Sequence, residues 1–452
     1  MLNHSKLMRR LLGLLVAVSL AIAPISPVLA AEFEAGSERQ KQTTRDQVTE
    51  TGNTLTYRLP RNVVRSNTES SLFEDAVQDF WNPEAGSFSK WPALSDQRQL
   101  VTDFSNPINR SICRLSLYFK DQNGVYIPFV GTGFVIGDHS IVTSAHCLYD
   151  HEEKLGWIDR IVVEIPDDDV HGIYMEYDSD REDMDVQILK GYETQADDQL
   201  DLGLIRLSSS LQKRHGSIEL ATDIHQGNTV QAMGYPSDRK VDDLRRLYSM
   251  SGPVLSLEDR QIAAGVYSHG GQSGSPFLND QGQAVGVLSF GLLSARDGKL
   301  RASAGPLIDS SWLSWLADNG AILAPVYRAY NPNSGEHVYT THYHELTVLK
   351  QAGWHDEGLA WYSANDQAKP VFRIYNPVAG DHHYTTSTYE IAHLESVGWK
   401  AEGICWYLGA SDPQIYRLYN PNAKTGTHHF TRNAGEAQSL AQCGWVLEGT
   451  LQ

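Results

Sequence analysis

The chain has 452 residues, of which 41% are hydrophobic and 20% charged, and this composition is typical of a globular protein with two or three domains. Asp and Glu outnumber Lys and Arg by 55 to 37, which gives a formal net charge of −18. This acidic balance argues against nucleic acid or an anionic membrane as the main partner, because both attract clustered Lys and Arg.

Residues 1–30 contain the three parts of a secretory signal. The basic residues Lys6, Arg9 and Arg10 precede the apolar run LLGLLVAVSLAIA, and the small residues of VLA end at Ala30. This order predicts a signal peptide that is cleaved after Ala30. The apolar run is too short for a stable membrane span, so a retained anchor is the less favoured alternative. We therefore expect a secreted, extracellular protein.

Residues 31–95 are rich in Gln, Thr, Arg, Glu, Ser and Asn and have little apolar periodicity. The stretch SERQKQTTRDQVTETGNT has nothing to bury, so we expect it to be disordered or loosely held. After a signal peptide, such a segment is either a propeptide that is removed or a flexible tail.

Residues 96–322 consist of short β-type runs, such as ICRLSLYF, FVGTGFVIG and LDLGLIRL, separated by Gly, Asp, Asn and Pro turns. Many short strands without intervening helices predict a sandwich or a barrel. Near the end of this region, Trp312, Trp315 and Leu316 share one face of a predicted helix, and Gly320 is in place to end it.

Residues 323–452 contain three copies of one template. The copies begin with YRAYNPNSGEHVYTT, FRIYNPVAGDHHYTT and YRLYNPNAKTGTHHFTR, and each continues to a Gly-Trp pair followed by Glu-Gly. The period is about 45 residues, so each repeat is too small to bury a core alone. We expect each repeat to form strand, strand, helix and strand. Three repeats then close into a pseudo-threefold β-rich domain, either β-trefoil-like or short and propeller-like.

Four cysteines in an exported chain predict two disulfides. The sequence alone allows three pairings. We expect Cys113 to pair with Cys147 and Cys405 with Cys443, because each pair then lies within one predicted domain.

Three short motifs carry the residue types of a serine hydrolase. His146 ends the strand of IVTSAHC, Asp201 begins DLGLIRL, and Ser273 lies in GGQSGSP. A serine nucleophile needs a base to take its proton and a carboxylate to orient that base. The glycines of the serine motif let the backbone aim the N–H groups of Gly271 and Ser273 at a developing oxyanion.

The motifs and their chain order resemble the chymotrypsin-like (trypsin-like) serine proteases, nearest to the glutamyl endopeptidase-like branch. The stretch VTDFSNPINRSICRL also resembles the mature N-terminal region of that branch. The resemblance implies that residues 96–322 form a chymotrypsin-like double β-barrel with the site between the barrels. It implies His146 as general base, Asp201 as orienting carboxylate and Ser273 as nucleophile, with Gly271 and Ser273 forming the oxyanion hole.

An α/β-hydrolase is the rival serine enzyme and does not fit. Its chain order is serine, acid, histidine, and its nucleophile elbow requires a second glycine where Ser275 stands.

Two positions depart from the family's pattern. Many digestive members have an Asp before the nucleophile that pairs with the new N-terminal amine on activation, and here the residue is Gln272. The glutamyl endopeptidases have a pocket His where Leu288 stands. We therefore expect a substrate pocket that favours an apolar or small P1 side chain. The residues expected to form it are Tyr267, Ser268, Leu288, Ser289 and Phe290.

Two further groups give weaker signals. The acidic stretch DSDREDMD could ligate calcium through its oxygens, but it lacks the spacing and glycine of an EF-hand, so a surface loop is favoured. His337, His382 and His428 occupy equivalent places in the repeats, where a threefold axis could gather them as a ligand or metal site. Packing or hydrogen bonding within each repeat is the favoured interpretation. We predict no metal and no cofactor.

Together these observations predict a secreted serine endopeptidase that acts on protein or peptide substrates. The repeats are expected to serve as a targeting module for a glycan or cell-surface ligand. The alternative from another class is a secreted binding protein or adhesin that uses an inactive protease fold as a scaffold.

Overall fold

The computed structural model describes residues 47–60, 78–79, 84–86, 90–166, 174–239, 246–364 and 369–451. The predicted signal peptide lies outside these residues. The chain divides into two compact units, residues 1–48 and 49–452, and nearly everything described belongs to the second. Over the described ranges, no helix is both long and apolar enough to cross a membrane.

Among the described residues, twenty-one strands precede the repeats. In chain order they are β1 Val48–Thr51, β2 Thr54–Arg58, β3 Gln78–Asp79, β4 Glu84–Gly86, β5 Gln99–Leu100, β6 Ile112–Lys120, β7 Tyr126–Gly137, β8 Ser140–Thr143, β9 Tyr149–Asp150, β10 Gly156–Trp157, β11 Arg160–Pro166, β12 Tyr174–Asp178, β13 Met184–Leu189, β14 Gly203–Leu207, β15 Thr229–Gly234, β16 Tyr248–Glu258, β17 Gln261–Ala264, β18 Pro276–Leu278, β19 Ala284–Val287, β20 Phe290–Ser294 and β21 Leu300–Pro306.

In the part of the chain that the structure describes, the helices are few and short. The α-helices are α1 Pro107–Arg110, α2 Lys190–Thr194, α3 Gln212–His215, α4 Ser310–Asp318, α5 Tyr343–Gln351, α6 Thr388–Ser396 and α7 Ala434–Gln442, and the 3₁₀ turns are Ala145–Cys147 and Asp198–Leu200. The predicted helix near the end of the β-rich region is confirmed as α4, which buries Trp312, Trp315 and Leu316.

The strands before the repeats form two large sheets. The N-terminal sheet has ten strands in the order β1-β2-β13-β14-β8-β7-β6-β11-β12, with β3 paired to β7. The C-terminal sheet has nine, in the order β19-β18-β15-β16-β17-β21-β20-β4, with β5 paired to β16. β9 and β10 form a separate pair. The prediction of a mainly β protein is confirmed.

The alternating runs of the sequence explain these sheets. In β6, Leu115, Leu117 and Phe119 are fully buried, whereas the residues between them are partly exposed. A strand points successive side chains to opposite faces, so this period of two buries one face of the sheet. One apolar cluster continues from Leu204 of the N-terminal sheet to Leu278 of the C-terminal sheet.

The segment before the sheets is more ordered than its composition indicates. Leu55 and Tyr57 of β2 are buried, and β2 pairs with β13 from Thr54 to Arg58. The expectation of a disordered segment therefore does not hold for these residues. This order could not be predicted from the sequence, because so short a strand buries its apolar side chains only when a neighbouring sheet edge is present.

Each repeat forms the expected strand, strand, helix and strand. Its first strand lies in the middle of a three-stranded sheet. The strands are β22 Pro325–Tyr330, β23 His337–Thr340 and β24 His355–Tyr362 in the first repeat, β25 Lys369–Asn376, β26 Asp381–Thr385 and β27 Lys400–Leu408 in the second, and β28 Ile415–Tyr419, β29 His428–Thr431 and β30 Val446–Leu451 in the third.

The three sheets share one core and form a closed ring. Val326, Val371 and Ile415 hold equivalent positions and belong to one apolar cluster. An arginine of each middle strand binds the Glu-Gly glutamate of its own repeat and a helix glutamate of the preceding repeat. Arg328 binds Glu357 at 2.7 Å and Glu436 at 3.0 Å, Arg373 binds Glu402 at 2.6 Å and Glu345 at 2.9 Å, and Arg417 binds Glu448 at 2.8 Å and Glu390 at 3.2 Å. Because Glu436 belongs to the third repeat and Arg328 to the first, the ring is closed.

The first repeat is packed against the rest of the chain. Tyr327 and Leu346 join the apolar cluster that includes Trp312 of α4. The Leu359 N–H also donates to the Thr222 hydroxyl at 3.0 Å. Within the described residues, these contacts join the repeat domain to the rest of the chain through its first repeat.

The predicted disulfide between Cys113 and Cys147 is wrong. Both residues are buried free thiols. Their sulfurs lie beside two different glycines of β7, Gly133 for Cys113 and Gly131 for Cys147. These glycines are about 7 Å apart along the strand, whereas disulfide sulfurs are about 2 Å apart. Burial raises the pKa of the Cys113 thiol, which keeps it protonated.

The predicted disulfide between Cys405 and Cys443 is also wrong. The Cys405 thiol lies 3.3 Å from the carbonyl of Tyr339 in the neighbouring repeat, and burial raises its pKa to about 12. Cys443 is an exposed free thiol at the end of α7. The two belong to different repeats, so sharing a domain does not bring them together.

Candidate active site

His146 and Asp201 are brought together by two adjacent antiparallel strands. Thr143, the last residue of β8, pairs with Gly203, the first residue of β14. The turn after β8 and the residues before β14 therefore leave the sheet at the same edge. Asp201 accepts two hydrogen bonds from His146, at 2.8 Å from the backbone N–H to Oδ1 and at 2.7 Å between Nδ1 and Oδ2.

This contact fixes the orientation of the imidazole. The Asp201 side chain is 6% exposed and the His146 side chain 17%. Burial alone would lower the pKa of His146, but the Asp201 carboxylate stabilises the imidazolium and the net effect raises the pKa well above its usual 6.5. The geometry gives an imidazole with a fixed tautomer and a strengthened basicity.

The serine motif forms a tight loop between β17 and β18 that requires its glycines. Gly271 and Gly274 have φ of 87° and 89°, a region that residues with a Cβ rarely adopt. A Cβ at Gly274 would lie 2.0 Å from the Thr132 carbonyl oxygen, and one at Gly271 would lie 2.4 Å from that of Tyr235. The loop is therefore packed too closely for any side chain at either position.

The carbonyls of this loop are held by neighbouring groups. Ser237 donates its N–H to the Gly270 carbonyl at 2.9 Å, and Ser275 donates its N–H to that of Gln272 at 3.0 Å. In a trans peptide the N–H points away from the C=O. The N–H groups of Gly271 and Ser273, which follow these carbonyls, therefore each point away from the group that binds the preceding carbonyl.

Thr132 of β7 joins the serine loop to the N-terminal sheet. Its N–H donates to the Ser273 carbonyl at 2.8 Å, and its hydroxyl donates to the Gly271 carbonyl at 2.8 Å. On the other side, Cys147 places its sulfur 3.9 Å from the Ser273 carbonyl oxygen. The residue after His146 therefore touches the backbone of Ser273, and the structure brings all three motifs into one region.

Comparisons with known proteins agree with this geometry. Residues 131–287 match the family model described as trypsin-like peptidase domain. The chain contains a trypsin-like peptidase domain. The predicted resemblance to this family and the chymotrypsin-like fold are confirmed by this match. Residues 325–451 match a domain of unknown function, DUF5648, which agrees with the predicted C-terminal repeat domain.

Several solved structures are similar to this chain. The structure of a Glu endopeptidase in complex with MPD is 20% identical with a TM-score of 0.42, and the match covers 51% of this chain and all of that one. The protease Anisep from Arthrobacter nicotinovorans is 16% identical with a TM-score of 0.36, covering 46% and 93% of the two chains. A thermostable serine protease, AL20, from an extremophilic microorganism is 16% identical with a TM-score of 0.35, covering 45% and 93%.

The residues predicted to line the pocket of the peptidase domain differ in their surroundings. Tyr267 is partly exposed, and Ser268 is buried with its hydroxyl 2.5 Å from that of Ser303. The Ser289 hydroxyl lies 3.1 Å from the Ser144 hydroxyl, and Phe290 is largely buried in a small apolar cluster.

Leu288 has a different role from the one expected. Its side chain belongs to the apolar core of the C-terminal sheet. Its carbonyl accepts hydrogen bonds from the Gly274 N–H at 2.7 Å and the Ser144 hydroxyl at 3.2 Å. Leu288 thus supports the serine loop through its backbone while its side chain packs in the core.

The role of several residues around the site could not be predicted from the sequence. Thr132 and Ser144 are common residue types in β-rich regions and carry no motif of their own. Ser144 directly precedes the AHC of the histidine motif, and this position was the one available signal. Arg98 was missed because it lies about 175 residues from the serine loop, a contact that local sequence patterns do not encode.

The weaker candidates have structural partners. Asp178 and Asp180 of the acidic stretch bind Arg160 at 2.6 and 3.1 Å. Within the described part of the chain, no group of three or more His, Cys, Asp or Glu side chains is arranged to hold a metal.

The three equivalent histidines do not converge on one site. Each has its Nε2 near the Glu-Gly glutamate of its own repeat, at 3.4 Å for His337, 3.6 Å for His382 and 3.4 Å for His428. Burial lowers the pKa of His337 to about 3 and that of His428 to about 4. His337 and His428 are therefore neutral, and each of the three histidines contacts the glutamate of its own repeat.

Proposed function

We propose that the protein is a serine endopeptidase that hydrolyses peptide bonds through an acyl-enzyme on Ser273. The observation that carries the proposal is the double hydrogen bond from His146 to the buried Asp201, next to a glycine-shaped serine loop. In this role His146 is the general base, Asp201 orients it and Ser273 is the nucleophile.

The reaction runs in two halves. The Ser273 hydroxyl oxygen attacks the scissile carbonyl carbon while His146 takes its proton, and the N–H groups of Gly271 and Ser273 stabilise the oxyanion. The C–N bond then breaks as His146 gives the proton to the leaving amine. In the second half, water attacks the acyl group with His146 again as base, and the ester bond to Ser273 breaks to release the acid.

We further propose that the enzyme prefers a small or apolar P1 side chain. Tyr267, Ser268 and Ser289 carry no charge, and the Ser268 hydroxyl is engaged by Ser303. The charge of Arg98, stacked 5.1 Å from the centre of the Tyr267 ring, is neutralised by two aspartates. A peptide series that differs only at P1 tests this preference, and a higher kcat/KM for Glu than for Ala or Leu would contradict it.

The first test of the function is labelling of the processed protein with a fluorophosphonate, followed by peptide mass spectrometry. The expected result is one adduct on Ser273, absent in the Ser273→Ala and His146→Ala variants. No adduct on folded, processed protein would mean that the serine is not activated. The alternative of a binding protein built on an inactive protease fold would then be favoured.

We also propose that residues 31–95 are an inhibitory propeptide. Backbone pairing supports this: β3 is parallel to β7 at Phe129–Val130, next to Gly131 and the serine loop, and β4 is parallel to β20, the strand that contains Phe290. The segment thus contacts the edges of both sheets near the site. Peptide hydrolysis should be slow before processing, and a synthetic peptide of residues 78–86 should inhibit the processed enzyme. Equal rates before and after processing would refute the proposal.

We also propose that the protein is secreted and that its repeats bind a glycan or a cell-surface ligand. The signal-like start of the sequence supports export. The second and third repeats have exposed apolar side chains, including Val378 and Tyr389, that are available to a glycan or cell-surface ligand. A glycan array probed with the full-length Ser273→Ala variant tests this role, and a blank array would remove the case for a lectin.

A further inference from the structure

Arg98, near the start of the protease-like region, contacts the residue before the proposed nucleophile. Arg98 donates from Nη1 to the Gln272 Oε1 atom at 3.1 Å. The Arg98 side chain is fully buried, at 0% exposure. The same Gln272 oxygen accepts the His269 N–H at 3.1 Å. One acceptor therefore joins Arg98 to the start of the serine loop.

The guanidinium is held on all sides by other groups. Its Nε and Nη2 bind the Asp96 carboxylate at 2.9 and 2.8 Å, and its Nη1 and Nη2 bind that of Asp238 at 3.0 and 2.6 Å. Its central carbon, Cζ, lies over the Tyr267 ring, 5.1 Å from the ring centre. The Arg98 hydrogen bond is the main cause that lowers the pKa of Asp96 to about 2. A buried cation with two bidentate partners has a single position, which makes it a rigid anchor.

Arg98 is also connected to the serine loop through Asp238 and Ser237, and to the C-terminal sheet through β5. Ser237, next to Asp238, donates both its N–H and its hydroxyl to the Gly270 carbonyl, at 2.9 and 3.0 Å. Residue 98 is followed by β5, which pairs with β16 of the C-terminal sheet. Arg98 therefore joins the fixed sheet to both the Gly270 and the Gln272 positions of the serine loop.

We propose that Arg98 is a positioning residue that holds the Ser273 loop in its catalytic shape through Gln272. The proposal rests on the proposed serine peptidase function. In family members with an Asp before the nucleophile, that carboxylate pairs with the N-terminal amine that cleavage creates. In this chain the residue is the neutral Gln272, and it binds a cation that is already present, Arg98. It follows that the loop is ordered without a new N-terminal amine. Processing must then leave Asp96 and Arg98 attached to the mature enzyme.

The test is a double-mutant cycle on kcat, made with Arg98→Ala, Gln272→Ala and the double variant. Displacing the loop by a fraction of an ångström to one ångström is expected to lower kcat by about 10- to 100-fold with a smaller change in KM. If Arg98 acts through Gln272, the double variant is no worse than the worse single variant. Gln272→Glu keeps an acceptor oxygen for Arg98 and should retain most of the activity.

Arg160 provides the matched control. It also binds two aspartates and stacks on a tyrosine, with Asp178 at 2.6 Å, Asp180 at 3.1 Å and the Tyr118 ring centre at 5.2 Å. Because it lies on β11, away from the serine loop, Arg160→Ala should lower the unfolding midpoint without lowering kcat.

The outcomes separate this inference from the proposed function. If the wild type reacts with a fluorophosphonate but Arg98→Ala reacts at the same rate, Arg98 is not a positioning residue. Multiplicative losses from Arg98→Ala and Gln272→Ala would also overturn it, as would an active enzyme whose N-terminus begins after Arg98. If the wild type itself is not labelled, the peptidase proposal fails instead.

Discussion

The peptidase domain and the repeat domain each contain a histidine bound to a buried carboxylate, and the two contacts are almost the same. Asp201 receives the His146 N–H at 2.8 Å and its Nδ1 at 2.7 Å, and Glu336 receives the His382 N–H at 2.9 Å and its Nδ1 at 2.6 Å. The exposed fractions also match, at 17% and 6% for the first histidine and its acid and 18% and 5% for the second.

The difference lies on the far side of each ring. The Nε2 of His382 faces the carboxylate of Glu402 at 3.6 Å, whereas the turn that carries His146 packs against the serine loop. A second carboxylate offers the imidazole no proton to remove. An oriented histidine is therefore a general base only when a donor such as a hydroxyl lies beyond it.

The largest expected effect follows from removing the charge of each carboxylate. Asp201→Asn should lower kcat by about 10⁴-fold, because the amide no longer favours the required tautomer or stabilises the imidazolium. Glu336→Gln is the matched variant in the repeats and should leave kcat unchanged. Hydrolysis of one peptide substrate by both variants checks this, and equal losses would mean that the two pairs are not functionally distinct.

The second prediction concerns pH. Because the pKa of His146 is raised above 6.5, hydrolysis should be weak in mild acid and should increase as the pH rises through that pKa and the imidazole loses its proton. Protonated His146, paired with Asp201, also stabilises the folded state at pH values below the pKa of His146 in the unfolded chain. This contribution is lost as the pH rises through the pKa of His146 in the folded protein. A profile of kcat/KM against pH measures the acid limb, and a limb midpoint below 6.5 would contradict the prediction.

A smaller effect is expected from opening the ring of repeats. Arg373 is 15% exposed and binds Glu345 and Glu402 of two repeats. Arg373→Ala leaves both carboxylates without their cation, so we expect a loss of about 2 kcal/mol in the free energy of unfolding, between the values for exposed and buried pairs. Chemical denaturation measures this loss. Peptide hydrolysis under native conditions should be unchanged, because the ion pairs of Arg373 lie in the repeat domain and not in the candidate active site.

The smallest expected effect is a gain in the stability of the folded protein. The Tyr339 hydroxyl donates to the Phe430 carbonyl at 2.7 Å, and that of Tyr384 donates to the Tyr339 carbonyl at 3.1 Å. The third equivalent position is Phe430 itself, which has no hydroxyl. Phe430→Tyr should complete this set of contacts at the Tyr384 backbone and stabilise the protein by about 1 kcal/mol. A lower midpoint of thermal unfolding would show that the three positions are not equivalent.

The cysteines and Leu288 show where sequence reasoning was insufficient. The predicted disulfides were based only on which domain each cysteine belongs to, and not on where its side chain points. In the structure, the Cys113 and Cys147 sulfurs lie beside separate glycines of β7. Leu288 was assigned to the pocket by its place in a motif, but its side chain fills the core while its backbone supports the loop. Both errors concern the orientation of a side chain, which depends on neighbouring strands.

The sequence by itself determined the strand-rich character, α4, the element order of the repeats and the three motifs with His146, Asp201 and Ser273. These features are local, because periodicity, turn residues and short motifs are properties of neighbouring residues. Only the tertiary structure decided that β8 and β14 place His146 beside Asp201 and that Arg98 reaches Gln272. It also decided that Glu436 closes the ring onto Arg328. These contacts join residues far apart in the chain, and their geometry exists only after the sheets have packed.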